Sequence, residues 1–250
     1  MRRVALVSGV SRRAGIGAAV ARRLVADGLD LYLSSWSPHD AEQPWGADEG
    51  GVDALLAELR AAGARVEHAA VDLADPETPA LLVAAAREAY GAVHVLVANH
   101  ARSSMQDLEQ LTAAELDLSY AVNVRATLLL VQAWAAQDVP NGRVVLLTSG
   151  QHRGPMPGEL PYIASKGALQ QVTASLAAHL APRGTTVNAV DPGATETGWA
   201  DEAVRQQVLA EQPMGRWGQP EDASRLIAWL VSQEGGWVTG QTLTSSGGGP

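Results

Sequence analysis

Short apolar runs alternate with longer amphipathic stretches from one end of the chain to the other. The runs at 4–7, 29–33, 66–73, 93–98, 144–147 and 187–190 predict strands, and 241–244 is a weaker seventh. Several are apolar at nearly every position, the pattern of parallel strands covered on both faces rather than of a half-solvated sheet. Helix patterns fill the gaps at 17–26, 52–62, 76–90, 162–180 and 221–231, with a long one running from 112 toward 134. In the first, Val20, Leu24 and Val25 share a face. Thr112-Ala-Ala-Glu115 has the form of a capping box, and Pro220 followed by Glu221 and Asp222 suits a helix start. Strand–helix alternation with crossover connections predicts an α/β fold: a doubly wound, mostly parallel, seven-stranded sheet with helices on both faces. Neither an internal repeat nor a second composition regime interrupts it, so one domain is expected over 1–250.

Composition narrows the function classes. Hydrophobic residues make up 46% and charged residues 18% of the 250, an ordinary globular balance. The formal net charge of −9 argues against a nucleic-acid partner, which needs a basic face, but leaves small anionic ligands open because those bind local patches. With no cysteine, disulfides, thiolate catalysis and cysteine metal sites are excluded, and no metal is expected. No apolar run is long enough to span a bilayer, and the basic start reaches Ser8-Gly9 too soon for a signal-peptide core, so a cytoplasmic location is expected. Seven Trp beside no Phe is unusual but points to no chemistry.

Candidate chemistry begins after the first strand, at Ser8-Gly9-Val10-Ser11-Arg12-Arg13-Ala14-Gly15-Ile16-Gly17, which runs directly into a helix. Glycines there let the backbone turn sharply and approach a phosphate, while the helix N-terminus offers free N–H groups. A plain strand-to-helix loop is the bland alternative; the position after the first strand of an alternating chain favours a dinucleotide. The second strand ends Leu33-Ser34-Ser35-Trp36 with no carboxylate until Asp40, and Arg12 and Arg13 offer guanidinium groups to a 2′-phosphate, with Ser34 and Ser35 as further donors. NADP(H) is therefore expected over NAD(H).

The most specific feature is Tyr162-Ile-Ala-Ser-Lys166 with Ser149 thirteen residues upstream. Positions i and i+4 share a helix face, so the Tyr162 hydroxyl and the Lys166 ammonium are expected to point into one cleft. A nearby cation favours the phenolate and lowers a tyrosine pKa from about 10, giving a proton donor or acceptor usable near neutrality. Ser149 closes the fifth strand at the carboxyl edge, where open parallel sheets bind ligands, and its hydroxyl can hold a carbonyl oxygen.

In this order, the glycine turn, Asp72, Asn99, Asn123, Ser149, the Tyr162/Lys166 pair and Pro192-Gly193 resemble the classical short-chain dehydrogenases/reductases. Gly215-Arg-Trp-Gly-Gln-Pro-Glu-Asp222 and Val238-Thr-Gly-Gln241 resemble the C-terminal segments of the 3-oxoacyl-carrier-protein reductase-like branch. The resemblance spans nearly the whole chain. It implies a Rossmann fold, with a cofactor half at about 1–150 and a catalytic and substrate half at about 140–250. It also implies an NADP(H)-dependent oxidoreductase interconverting a ketone, such as a 3-oxoacyl compound or β-keto ester, and a secondary alcohol. Tyr162 would be the general acid in reduction and the base in oxidation, and Lys166 would lower its pKa and hold the ribose hydroxyls. Ser149 would polarise the carbonyl, and Asn123 would anchor a water leading from Lys166 to solvent. The cofactor would be held by Gly9, Ser11, Arg12, Arg13, Gly15, Ile16, Gly17, Ser35, Trp36, Asp72, Leu73, Asn99, Ala101, Tyr162, Lys166, Pro192, Gly193 and Thr195. Taken singly, each of these residues has a bland reading as a core or turn residue; the combination carries the argument.

Three departures from the family pattern stand out. The glycine loop is two residues longer than usual, which leaves open whether Arg12 or Arg13 meets the phosphate. The stretch 36–51, with Pro38, Pro44 and two tryptophans, is expected to be a long loop near the adenosine, with Trp36 as a cover or the stretch packing on a neighbouring subunit. Asn99-His100-Ala101-Arg102 brings in a histidine that is expected to point away from the cleft. Ser149, Gln151, His152, Met156 and Trp199 are expected around the substrate, beneath a mobile lid at 197–213. The family pattern further implies a homotetramer, or a dimer, through helices at 112–137 and 158–180. An alcohol dehydrogenase working oxidatively and a non-catalytic dinucleotide sensor are the alternatives.

Overall fold

The computed structural model describes residues 2–249. Its seven strands are β1 (Val4–Val7), β2 (Asp30–Ser35), β3 (Val66–Ala70), β4 (Val95–Ala98), β5 (Arg143–Leu147), β6 (Thr186–Asp191) and β7 (Thr242–Thr244). They form one sheet in the order β3-β2-β1-β4-β5-β6-β7, every neighbouring pair parallel. The helices are α1 (Ile16–Ala26), α2 (Ser37–Glu42), α3 (Gly51–Ala61), α4 (Thr78–Tyr90), α5 (Ala113–Ser119), α6 (Ala126–Ala135), α7 (Leu160–Leu180), α8 (Glu202–Glu211) and α9 (Pro220–Val231).

The continuous apolar character of the strands has a direct cause. Successive side chains point to opposite faces, and both faces are covered. On β1, Ala5 and Val7 pack with α1, α3 and α9, including Leu24, Leu59 and Ile227. Val4 and Leu6 face the other way, against α4, α6 and α7 through Val83, Leu130 and Leu180. Leu6, Leu96 and Leu146 are fully buried at the centre, where truncation of any one to alanine costs about 2–5 kcal/mol.

The strand order positions the site. β1 and β4 are neighbours although β2 and β3 come between them in the chain, so the loops leaving their carboxyl ends diverge and open a crevice.

Four local expectations are revised. The third strand stops at Ala70 rather than 73, because the Asp72 carboxylate turns back to accept from the Ala74 N–H at 2.8 Å. The capping box at Thr112 is only half made. Thr112 Oγ1 accepts from the Glu115 N–H, but the Glu115 carboxylate is drawn to Arg102. The long helix after it is interrupted by a π-turn over Tyr120–Arg125, so α5 and α6 are two helices in line. The stretch expected as a 36–51 loop contains α2, started by Pro38, which fits a first helical turn.

Candidate active site

The glycine turn after β1 is held closed by Asn99 at the end of β4. Its side-chain amide donates to the carbonyls of Ser8 at 3.1 Å and Gly9 at 2.8 Å. Two positions require glycine. Gly9 has φ +73°, and a Cβ there would meet His100 Cα at 2.5 Å; a Cβ on Gly17 would meet Gly9 O and Asn99 Nδ2, each at 2.7 Å. The backbone is thus drawn against β4, and α1 begins at Gly15 with no side-chain cap and no acidic residue in its first turn. Behind the turn, His100 Nε2–H donates to Val122 O at 3.0 Å, which leaves Nδ1 to accept from the Ser8 hydroxyl at 2.6 Å. Burial, reinforced by the Lys166 charge, pushes this imidazole down to about 3, so it is neutral. His100 borders the cavity but has both ring nitrogens engaged by protein.

One cavity of about 820 Å³ runs along the carboxyl edge of the sheet. Gly9, Ser11, Arg12, Gly15, Ile16 and Gly17 line it from the first loop, with Ser34, Ser35 and Trp36 from the end of β2. Asp72, Leu73, Asn99 and Ala101 follow from the loops after β3 and β4, and Pro192, Gly193 and Thr195 from the loop after β6. Ser149 and Tyr162 stand at the far end with Met156 and Trp199.

Of the four catalytic candidates, Ser149 and Tyr162 line the cavity, whereas Lys166 and Asn123 do not. Ser149 leaves β5 in extended backbone, and its side chain comes close enough to the Tyr162 phenol to act on its pKa. Lys166, one turn along α7, lies with its Nζ 5.7 Å from the Tyr162 ring centroid and donates to Leu147 O at 2.8 Å. The expected lowering of the tyrosine pKa is not seen here. Burial pushes the phenol up to about 12, with the Ser149 side chain acting in the opposite direction, and burial pushes the Lys166 ammonium down to about 8. The amine faces the β5 carbonyl rather than the phenol oxygen, so dehydration governs both groups.

Asn123 sits in the π-turn, fully buried. Its Oδ1 accepts from Arg102 N at 2.6 Å, and its Nδ2 donates to Arg102 O at 3.0 Å and Ser165 Oγ at 2.8 Å. The side chain is therefore a strut between the loop after β4 and α7, bonded there to Ser165, the neighbour of Lys166, and lies outside the cavity lining.

Three expected site residues stand elsewhere. Arg13 is half-exposed and bidentate to Asp48, at 2.9 and 2.7 Å, outside the main cavity; its hydrogen bonds hold the Asp48 carboxyl down at about 2. Gln151 and His152 lie on a tight 3-10 turn that carries them past the cleft. The Gln151 amide donates to Thr148 Oγ1 and Gln170 Oε1, and His152 is exposed. The segment expected as a lid contains α8, none of whose residues is buried, and Trp199 meets Trp217 edge-on at 5.9 Å.

Sequence reasoning missed how α2 crosses the Arg12 end of the cleft. The Arg12 guanidinium pairs with Asp40 at 3.2 Å, lies over the Trp45 ring at 5.2 Å and donates to Thr197 O at 2.8 Å. Asp40 also accepts from Ser11, and His39 Nε2 accepts from the Ser103 N–H at 3.3 Å. The only signal for this was the isolated carboxylate of Asp40 after an otherwise uncharged strand end. A dinucleotide fits the place on observations of the chain itself. The backbone cradle excludes any Cβ at Gly9 and Gly17, the N–H groups of α1 are uncapped, and the buried Ser34 hydroxyl facing the cavity has no partner.

Comparison with known proteins agrees with this architecture. A family model described as "Enoyl-(Acyl carrier protein) reductase" matches residues 9–249. The uncharacterised oxidoreductase YjdA of Bacillus subtilis is 36% identical over 98% of this chain and 96% of its own. Human dehydrogenase/reductase SDR family member 4 is 31% identical over 94% of this chain and 84% of its own. A short-chain dehydrogenase from Burkholderia cenocepacia, solved in complex with NADP, superposes with a TM-score of 0.88 at 36% identity, covering 99% and 97% of the two chains. A blue fluorescent protein from a metagenomic library, in complex with NADPH, gives 0.89 at 34% identity, covering 98% and 97%. The fold and site define a dinucleotide-dependent oxidoreductase, and the chain belongs to the short-chain dehydrogenase/reductase family. Among the described residues no helix is long and apolar enough to cross a membrane.

Proposed function

We propose that the chain reduces a ketone to a secondary alcohol with NADP(H), Tyr162 acting as general acid. The observation carrying this reading is the convergence of the Ser149 and Tyr162 hydroxyls at one end of the cavity whose other end is the glycine cradle. Bound along that cavity, the nicotinamide cofactor would supply the hydride. Ser149 holds the carbonyl oxygen, and Tyr162 delivers its proton to that oxygen as negative charge develops. With its pKa near 12 the phenol is protonated at neutral pH, which suits proton donation. Lys166, still largely cationic at pH 7 with a pKa near 8, steadies the phenolate left behind and holds the ribose hydroxyls. Asn123 fixes the loop after β4 and Ser165 relative to one another, which keeps Lys166 in place.

Arg12 and Ser34 are the residues assigned to the 2′-phosphate; Arg13 is assigned to closing the loop onto Asp48 instead. Asp40 supports a second reading. A carboxylate lodged between Ser11 and Arg12 is the kind of acceptor a 2′-hydroxyl takes, which favours NAD(H). Reduced NADPH and NADH offered separately with a ketone panel that includes β-keto esters separate the two. NADPH-preferring turnover supports the first reading. NADH-preferring turnover that shifts toward NADPH in Asp40→Asn supports the second, and cofactor binding without turnover of any ketone removes the reductase reading.

A further inference from the structure

The substrate end of the cavity holds one ionisable group that none of these steps uses. Glu159 precedes α7 immediately and lies three residues before Tyr162. A side chain at that position commonly folds back to cap the helix, yet Glu159 makes no capping bond. It lines the cavity instead. Among the described residues no group donates a hydrogen bond to its carboxylate and no Arg, Lys or His forms an ion pair with it. Its surroundings explain why that vacancy is not filled from within. Met156, Leu118 and Val204 are apolar residues lining the same cavity, and its charged groups are committed elsewhere. Arg102 is bidentate to Glu115, Lys166 donates to Leu147 O, and the Asp201 carboxylate caps α8 by accepting from Val204 N. Burial alone holds the Glu159 carboxyl above its ordinary range, the response of an acid with no cation beside it, and its charge is close enough to bear on the Tyr162 phenol.

A half-buried carboxylate facing an apolar cavity without a protein partner is costly unless the ligand completes it. We propose that Glu159 is a specificity residue that pairs with a protonated amine on the substrate, so that the preferred substrates are amino ketones and their amino alcohols. Three residues, roughly 4.5 Å of helix rise, separate Glu159 from Tyr162, so one small substrate can reach both groups. The apolar walls accept the N-alkyl groups, and the absence of an uncommitted cation at this end disfavours carboxylate-bearing or phosphate-bearing substrates.

This inference rests on the ketone-reduction reading, and its test keeps the two apart. Dimethylaminoethyl methyl ketone and isopentyl methyl ketone are nearly isosteric and differ in the charge. With NADPH (or NADH, whichever the chain prefers), the wild type is expected to favour the amino ketone in kcat/KM by about tenfold to a hundredfold, the range for hydrogen bonds to charged groups. In Glu159→Gln that ratio is expected to fall toward one, whatever the absolute rates. A wild-type ratio at or below one overturns the proposal without need of any variant, as does a ratio that Glu159→Gln leaves unchanged. If neither ketone is reduced, calorimetric binding of the two to the cofactor-loaded protein carries the same comparison. Equal affinities there overturn the amine site on its own, and tighter binding of the amine upholds it while the reductase reading fails.

Discussion

The two ends of the cleft are built from different material. At the Tyr162 end every side chain is fixed by a strand end or a helix: Ser149 by β5, Tyr162 and Lys166 by α7, Asn123 by the π-turn that meets both. At the Arg12 end the polar groups sit on loops and on the six-residue helix α2, and what holds them is a chain of ion pairs, Arg12 with Asp40 and Arg13 with Asp48. The first kind of site is set by backbone geometry and buried hydrogen bonds. The second is set by charges near water, whose attraction is screened by salt. A rigid end suits chemistry that fails when atoms are misplaced by an ångström, and a looser end suits a segment that must part to admit a nucleotide.

The strongest way to break this contrast lies at the rigid end. Tyr162→Phe removes one hydroxyl without altering the packing of α7, and is expected to lower kcat by about a hundredfold to ten-thousandfold. Cofactor affinity, measured by fluorescence titration, should stay within about twofold. Retained turnover would take Tyr162 out of its assigned role.

At the loop end the two neighbouring arginines are expected to behave differently. Arg12→Ala should weaken NADPH binding by about tenfold to a hundredfold and NADH binding far less, because a charge-assisted contact to the 2′-phosphate is lost. Arg13→Ala, which removes only an exposed pair, should change neither affinity by more than about twofold. Equal effects from the two substitutions would mean that the phosphate is read elsewhere.

The smallest expected effect separates the ends by their response to acid. His100 is neutral in the folded chain, with its pKa down at about 3 against an ordinary value of 6.5. Below 6.5 the unfolded chain takes up a proton that the folded imidazole refuses, so stability is present above that pH and is lost as the pH falls toward 3. Between pH 7 and pH 5 this group alone should lower unfolding stability by about 2 kcal/mol, read as a fall in the urea midpoint. In His100→Gln that acid-dependent part of the fall should disappear, and a midpoint difference unchanged by the substitution would remove His100 as its source.

The same contrast explains which parts of the molecule were legible in the sequence. Six strands and the long helices between them, though not α2 or α8, announced themselves because continuous apolar runs and 3.6-residue periods are local signals. Tyr162 and Lys166 did so because one helix carries both. Arg12 and Arg13 are adjacent and chemically alike, and only the positions of Asp40 and Asp48 separate them. Those partners come from a segment that is tied through His39 to Ser103, far away in the chain. Gln151 and His152 looked like pocket residues from their distance to Ser149, but a tight turn reverses direction within two residues, and no periodicity records that. The π-turn at Asn123 has no sequence signature of its own; one extra residue per turn becomes visible only in the backbone.

Arg12 has a wider consequence than its own contacts. The same guanidinium touches Asp40 on the segment after β2 and the Thr197 carbonyl on the segment after β6. The segment after β2 and the segment after β6 are therefore joined through a single group, and their displacements share one thermodynamic cycle. Whatever free energy a ligand bound against one segment contributes through Arg12 to ordering the other must return, with the same magnitude, as tighter retention of that ligand once the other segment is ordered.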